Sequence, residues 1–135
     1  MKNLRLKIVC PEGEVFSGEA KSVLVTTSEG EVQILAGHMN FCAPLKTGRA
    51  KIVTQNGEEC FASVSGGFIL VTEEETKIVA VTFEFAEEID IERAKIARDR
   101  AKELLKLSNN EDEITLAEAK LSRALARISA YESLK

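Results

Sequence analysis

The pattern of apolar and polar residues changes near residue 87. Before this point apolar residues alternate with polar ones, as from Leu4 to Ile8, and a two-residue period is typical of a half-buried β-strand. After it, apolar residues recur every three or four positions, as from Ala94 to Leu104, which is the period of an amphipathic helix. The pattern therefore predicts a β domain over residues 1–86 and a helical domain over residues 87–135.

Closely spaced turn residues divide the β region into short strands. Asn56-Gly57 is the strongest hairpin signal, because both residues tolerate the positive φ of a type I′ turn. We expect Val15-Phe16 to begin a short strand of its own, and residues 76–83 to form the last strand. Short strands at this spacing are typical of antiparallel sandwiches. The predicted fold is an all-β N-terminal domain, an antiparallel β-sandwich or flattened barrel of about ten short strands, followed by an α-helical hairpin.

The two predicted helices are joined by a polar break from Ser108 to Asp112, so they should pack antiparallel. Either Asn110 or Thr115 provides the N-cap of the second helix. The first helix offers mostly alanine on its inner face, and alanine buries little apolar area. A hairpin of low intrinsic stability that leaves the sandwich and a fixed helical cap on the sandwich are equally compatible with this pattern.

Net charge and composition narrow the classes of function that the chain can have. The net charge of −4 argues against a general nucleic-acid binder. No run approaches the roughly 20 apolar residues of a membrane span, and the first residues enter a strand pattern without a signal or transit peptide. The three cysteines are widely spaced, so we expect small buried side chains in a reducing compartment. With a single histidine, a metal site or histidine-based triad lacks its usual parts, which disfavours an enzyme.

Charged residues of the helical region form a candidate binding site. Asp90 and Arg93 are three apart, Arg93 and Arg100 seven apart, and Arg123 and Arg127 four apart, so each pair shares a helical face. Arginine suits phosphate because its planar guanidinium makes paired, charge-assisted hydrogen bonds. The alternative is that these arginines are exposed and pair with nearby acids, for a few tenths of a kcal/mol each. Those acids are Glu87, Glu92, Asp99 and Glu118.

Three segments resemble signatures of the epsilon subunit of the F-type ATP synthase. Residues 28–45 contain Ser-Glu-Gly-Glu at their start and Gly-His after the following strand. Residues 64–68 read Val-Ser-Gly-Gly-Phe, and Ile89-Asp90-x-x-Arg93-Ala94 opens the helical region. The segments occur in the family's order, and the resemblance covers the whole chain.

This resemblance implies a non-catalytic subunit of the central stalk, on the cytoplasmic face of the bacterial cell membrane and peripheral to it. The sandwich would bind the gamma subunit and the c-ring and rotate with them. The hairpin would inhibit ATP hydrolysis when extended toward the alpha and beta subunits, and permit it when folded. An alternative is a free-standing ATP-binding regulatory module of the same fold.

The resemblance also implies which residues act. No cofactor is required, and ATP is expected as a regulatory ligand of the folded hairpin. The positions implied to hold the base and ribose are Ile89, Asp90, Arg93 and Ala94, with Glu84 as a further polar contact. Those implied near the phosphates are Arg100, Arg123 and Arg127. Glu31 and His38 are expected at the interface with gamma and the c-ring, and neither catalytic nor metal-ligating residues are expected.

Overall fold

The computed structural model describes residues 3–37 and 39–134. Within these residues nine strands precede two helices, which confirms the predicted class of a β domain followed by a helical hairpin. The strands are β1 (Leu4–Cys10), β2 (Gly13–Thr27), β3 (Gly30–Leu35), β4 (Phe41–Pro44), β5 (Gly48–Thr54), β6 (Glu59–Ser65), β7 (Phe68–Val71), β8 (Thr76–Val79) and β9 (Thr82–Phe85). A 3₁₀ turn, Ala86–Glu88, leads to α1 (Ile91–Leu107) and α2 (Glu111–Glu132).

The long strand β2 joins the two layers of the sandwich. The strands hydrogen-bond in the order β4-β7-β8-β1-β2-β5-β6-β9, and β3 also pairs with β2. The first part of β2 pairs with β1, whereas its second part pairs with β3 and β5. A bridge between Thr27 and Leu45 connects the end of β2 to the chain just after β4, so the sheet curls back on itself.

Four details differ from the strand predictions. Val15-Phe16 lies inside the continuous strand β2, β4 was not predicted, and the expected last strand is broken between Val79 and Thr82. In addition, β1 and β8 pair in parallel. Pairing between strands about 70 residues apart depends on where the chain crosses the sandwich, and local alternation of apolar residues carries no such information.

The hairpin between β5 and β6 does not use the predicted type I′ turn. Among the described residues only glycines have positive φ, so Asn56 does not adopt the required conformation. Gly57 has a φ of 87° and its N–H donates to the Thr54 carbonyl at 2.9 Å. This is the three-residue loop in which a type I turn is followed by a left-handed glycine.

The core lies between the two layers and consists of aliphatic side chains. The alternation at the start of the chain places Leu6 and Ile8 fully inside, where they pack with residues such as Ile52, Ile69 and Ile78. Each such side chain stabilises the fold by roughly 1.5–3 kcal/mol through burial.

Gly67 allows close packing at the edge of this core. A Cβ atom there would collide with the Val79 carbonyl oxygen, and the residue has a φ of 95°. Glycine at this position therefore serves the backbone conformation and the close approach of the neighbouring chain.

Both helices begin at side-chain caps. The Asp90 carboxylate accepts a hydrogen bond from the Arg93 N–H at 3.1 Å, and Asn110 accepts from Asp112 and Glu113 N–H at 2.8 and 3.2 Å. Of the two predicted caps for α2, Asn110 is therefore the one used. These bonds satisfy amides that have no partner within the helix.

The hairpin is folded against the sandwich. α2 packs on β5 and β6, and a small apolar cluster of Ala86, Ile89 and Ala130 packs with Phe61 and Tyr131. The Arg49 guanidinium lies 5.5 Å from the centre of the Phe61 ring and donates to the Ser133 hydroxyl at 2.8 Å. The contact thus combines apolar packing with polar interactions from Arg49.

The expectation of three buried cysteines was wrong. Cys42 is exposed, and Cys10 and Cys60 are only half-buried. Cys42 belongs to the short strand β4, whose alternation turns Ala43 inward and Cys42 outward.

Candidate functional site

A groove of about 290 Å³ runs between α1 and α2 and contains three of the predicted arginines. Its sides carry Arg100 from α1 and Arg123 and Arg127 from α2, with Lys120 beside them. Its floor is formed by Ala97, Ala101, Ala117 and Leu104. The alanines that let the helices approach closely also leave open space beneath the cationic side chains.

Positive charge in the groove is largely unneutralised. Within the described part of the chain, Arg100, Lys120 and Arg123 form no ion pair. Arg98, which does not line the groove, pairs with its neighbour Asp99 at 3.0 Å. The alternative that Arg100 and Arg123 pair with nearby acids is therefore not what the folded hairpin shows.

Glu84 and Arg127 connect the sandwich to the groove. The Arg127 Nε donates to Glu84 Oε1 at 3.0 Å, and about a third of each side chain is exposed. Arg127 also lines a second cavity of about 310 Å³ that reaches Cys10 and the β9 strand. An anion in the groove would compete with the Glu84 carboxylate for the Arg127 guanidinium.

The residues expected around the base and ribose lie near the start of α1 and do not line the groove. Ile89 is buried in the apolar cluster beneath α2, and Ala94 is buried in α1. Asp90 caps α1, and Arg93 is exposed one turn further on. The structure thus brings together the three arginines that were expected near the phosphates, and it gives Ile89 and Asp90 structural contacts.

Lys120 is a groove residue that the sequence interpretation missed. It precedes Arg123 by three positions and Arg127 by seven, so all three share one stripe of α2. That spacing was visible in the sequence, but the resemblance emphasised arginines only.

Of the two residues expected at the interface with gamma and the c-ring, only Glu31 belongs to the described part of the chain. Glu31 is exposed near the start of β3, whereas His38 lies outside the described residues. The loop around Met39 follows the opposite end of β3, beside a cavity of about 730 Å³ that also involves residues 72–76. Met39 is 81% exposed, which makes this end of the sandwich a candidate contact surface.

A second candidate contact surface is the outer face of β4 and β7. Cys42 pairs with Leu70 and Pro44 with Phe68, and all four side chains are exposed while their neighbours in sequence point into the core. Phe68 and Leu70 are 42% and 37% exposed. Adjacent exposed apolar side chains of this kind often mark a protein interface.

Among the described residues, no group of three or more His, Cys, Asp or Glu side chains is arranged to hold a metal ion. Likewise, neither α1 nor α2 in the described part of the chain is long and apolar enough to cross a bilayer.

The fold and groove define a two-domain chain, a β-sandwich carrying a folded helical hairpin with a cationic groove between its helices. Residues 3–86 match the family "ATP synthase, Delta/Epsilon chain, beta-sandwich domain", and residues 87–132 match "ATP synthase, Delta/Epsilon chain, long alpha-helix domain". The chain therefore belongs to the ATP synthase delta/epsilon chain family, which confirms the resemblance. The prediction that it is a subunit of this complex and not an enzyme agrees with that membership.

Two relatives match this chain over about a third of its length. The chain is 46% identical over 48 residues to the ATP synthase epsilon chain of Helicobacter hepaticus, covering 36% of this chain and 37% of the relative. The match to the epsilon chain of Helicobacter pylori has the same identity and covers 39% of that relative. The chain thus matches less than two-fifths of the length of these curated relatives.

Solved structures share the fold. A chain of the Euglena gracilis mitochondrial ATP synthase, in an OSCP/F1/c-ring structure, superposes with a TM-score of 0.84 at 23% identity, over 98% of this chain and 81% of that one. A chain of the Tetrahymena thermophila central stalk and c-ring superposes with a TM-score of 0.61 at 15% identity, over 96% and 97%.

Proposed function

We propose that the chain is the epsilon subunit of a rotary ATP synthase, a non-catalytic part of the central stalk that couples c-ring rotation to ATP synthesis. In this proposal ATP binds the folded hairpin and keeps it from inhibiting ATP hydrolysis. The observation that carries the proposal is the cationic groove between α1 and α2, which exists only while the two helices lie side by side.

Two surfaces of the sandwich support a stalk role. The outer face of β4 and β7 offers Phe68 and Leu70 to a partner, and we assign it to the gamma subunit. The end around Met39 and residues 72–76 is assigned to the c-ring, through which the complex is peripheral to the membrane. A rotor subunit that transmits torque needs two separate contacts of this kind. Glu31 and His38 remain the proposed interface residues from the resemblance.

The regulatory step follows from linkage. ATP can shift the hairpin only if it binds the folded state more tightly than the extended one. A ligand at one hundred times its dissociation constant stabilises the state that it binds by about 2.7 kcal/mol. The hairpin contacts the sandwich through a cluster that includes Ile89, Phe61 and Ala130, and in this proposal a shift of that size is enough to bias the contact. High ATP therefore keeps the hairpin folded, and low ATP releases it toward the alpha and beta subunits.

The residues around the groove have defined parts in this proposal. Arg100, Arg123 and Arg127 bind the phosphates, and Arg127 exchanges its Glu84 partner for the ligand. Ile89, Asp90, Arg93 and Ala94 would contact the base and ribose after local rearrangement of the start of α1. Because Asp90 also caps α1, ligand binding and the order of the first helical turn are coupled.

Calorimetric titration of the chain with magnesium-free ATP tests the proposal. We expect a dissociation constant between about 1 μM and 1 mM, and loss of binding when Arg123→Ala is combined with Arg127→Ala, because two of the phosphate ligands are removed. Arg98→Ala is the matched control, since Arg98 does not line the groove.

Absence of binding at millimolar ATP would contradict the regulatory part of the proposal. A separate co-purification with the gamma subunit tests the stalk assignment. If the chain binds ATP but does not assemble with gamma, the free-standing regulatory module becomes the better explanation.

A further inference from the structure

We infer that Lys120 is a fourth phosphate-binding cation of the groove, and that the groove selects anions by the number of their phosphate charges. Its ligand class is then an oligophosphate chain, with or without an attached nucleoside. This inference rests on the proposed function, because the groove is where the phosphates of ATP are placed.

The position of Lys120 supports this role. Lys120, Arg123 and Arg127 lie at i, i+3 and i+7 of α2 and all line the groove. Arg100 faces them from α1. Cations from both helices therefore border one space, as an anion with several charges requires.

The surroundings of these cations lack carboxylates on α2. The residues three and four positions from Lys120 are Leu116, Ala117, Arg123 and Ala124. Those around Arg123 are Ala119, Lys120, Ala126 and Arg127. Like charges at such spacings destabilise a helix, and an oligophosphate in the groove would remove that repulsion.

The size and floor of the groove indicate what it recognises. A volume of about 290 Å³ lies at the lower limit of the roughly 300–1,000 Å³ typical of pockets for drug-sized ligands. The floor consists of alanine and leucine side chains, which offer no hydrogen bonds to a nucleobase. Within the groove, recognition therefore depends on phosphate charge, and the nucleoside extends beyond it.

Titration of the full chain with inorganic tripolyphosphate, pyrophosphate and orthophosphate, without magnesium, tests the inference. We expect affinity to rise with the number of phosphates. Lys120→Gln should weaken tripolyphosphate and ATP binding by about threefold to fivefold, the effect of one exposed ion pair. It should weaken orthophosphate binding by less than about twofold, because the arginines alone can bind one phosphate.

Two further variants separate the effect of the Lys120 charge from a general loss of positive charge or a change in folding. Lys120→Arg keeps the cation and should retain tripolyphosphate binding within about twofold. Lys102→Gln removes an exposed cation that does not line the groove and should leave every affinity unchanged. Circular dichroism and thermal unfolding of each variant establish that the helices are intact.

The outcomes distinguish this inference from the proposed function. If ATP binds equally to the wild type and Lys120→Gln, the role of Lys120 is wrong while ATP binding stands. If tripolyphosphate binds but ATP binds no more tightly, the oligophosphate site stands and nucleoside recognition fails. If neither binds the wild type, both proposals are overturned.

Discussion

At the scale of single residues, the ion pair between Glu84 and Arg127 links the sandwich to the groove between α1 and α2. The two side chains are 43 positions apart in sequence, so periodicity did not predict the contact, and only the family resemblance brought Glu84 into the candidate set. The stripe of Arg123 and Arg127 was predictable because both belong to one helix. Lys120 was equally visible, but its role depends on Arg100 facing it across the groove.

The cysteines provide a residue-scale prediction. Burial, with a smaller contribution from Glu12, raises the pKa of the Cys10 thiol, and burial, with contributions from Glu87 and Glu58, raises the pKa of Cys60. A raised pKa lowers the thiolate fraction near pH 8. Alkylation by iodoacetamide, followed by peptide mass spectrometry, should therefore modify the exposed Cys42 first, and higher pH should accelerate Cys10 and Cys60.

Cys42 also reports on the proposed interface. It lies beside Leu70 on the outer face of β4 and β7, so assembly with the gamma subunit should protect it from alkylation. Equal modification of Cys42 in the free chain and the assembled complex would contradict the assignment of this face to gamma.

At the scale of elements, the helical hairpin is held by an internal contact between α1 and α2 and by an external contact of α2 with β5 and β6. Its helices meet through alanines such as Ala101, Ala117 and Ala124, all of which are buried. The sequence predicted this seam because alanine recurs at helical spacing. It did not predict whether the hairpin rests on the sandwich, since that depends on residues such as Arg49 and Phe61 in distant strands.

Arg49 gives an element-scale prediction. Arg49→Ala removes the hydrogen bond to Ser133 and the contact with the Phe61 ring, so the folded position of α2 should be less stable. We expect amide hydrogen exchange in the last turns of α2 to accelerate by about twofold to tenfold, which corresponds to one lost hydrogen bond. Exchange in the core strand β1 should not change.

Arg98→Ala serves as the control for this measurement. Arg98 pairs with the adjacent Asp99 on α1 and does not line the groove. If Arg98→Ala and Arg49→Ala accelerate exchange in α2 equally, the Arg49 contact does not hold the hairpin on the sandwich.

At the scale of the whole molecule, one chain combines a β-sandwich with a helical hairpin folded against it. The sandwich has a continuous aliphatic core, whereas the hairpin packs on β5 and β6 through α2, with a separate apolar cluster and polar bonds from Arg49 and Arg127. The alternation of apolar residues was sufficient to predict the sandwich class. The parallel pairing of β1 with β8 and the turn at Gly57 depend on long-range chain path and local φ values, which that alternation does not determine.

The distance between the hairpin and the sandwich in the assembled complex tests the central claim most directly. Spin labels at Gln55→Cys and Ser129→Cys place one probe beside β5 and one on α2, and both positions are exposed. The native cysteines Cys10, Cys42 and Cys60 are replaced by serine so that only these two sites are labelled. Pulsed dipolar spectroscopy should show a short distance at millimolar ATP and a growing long-distance population as ATP is removed. A distance distribution that does not change with ATP would contradict the account.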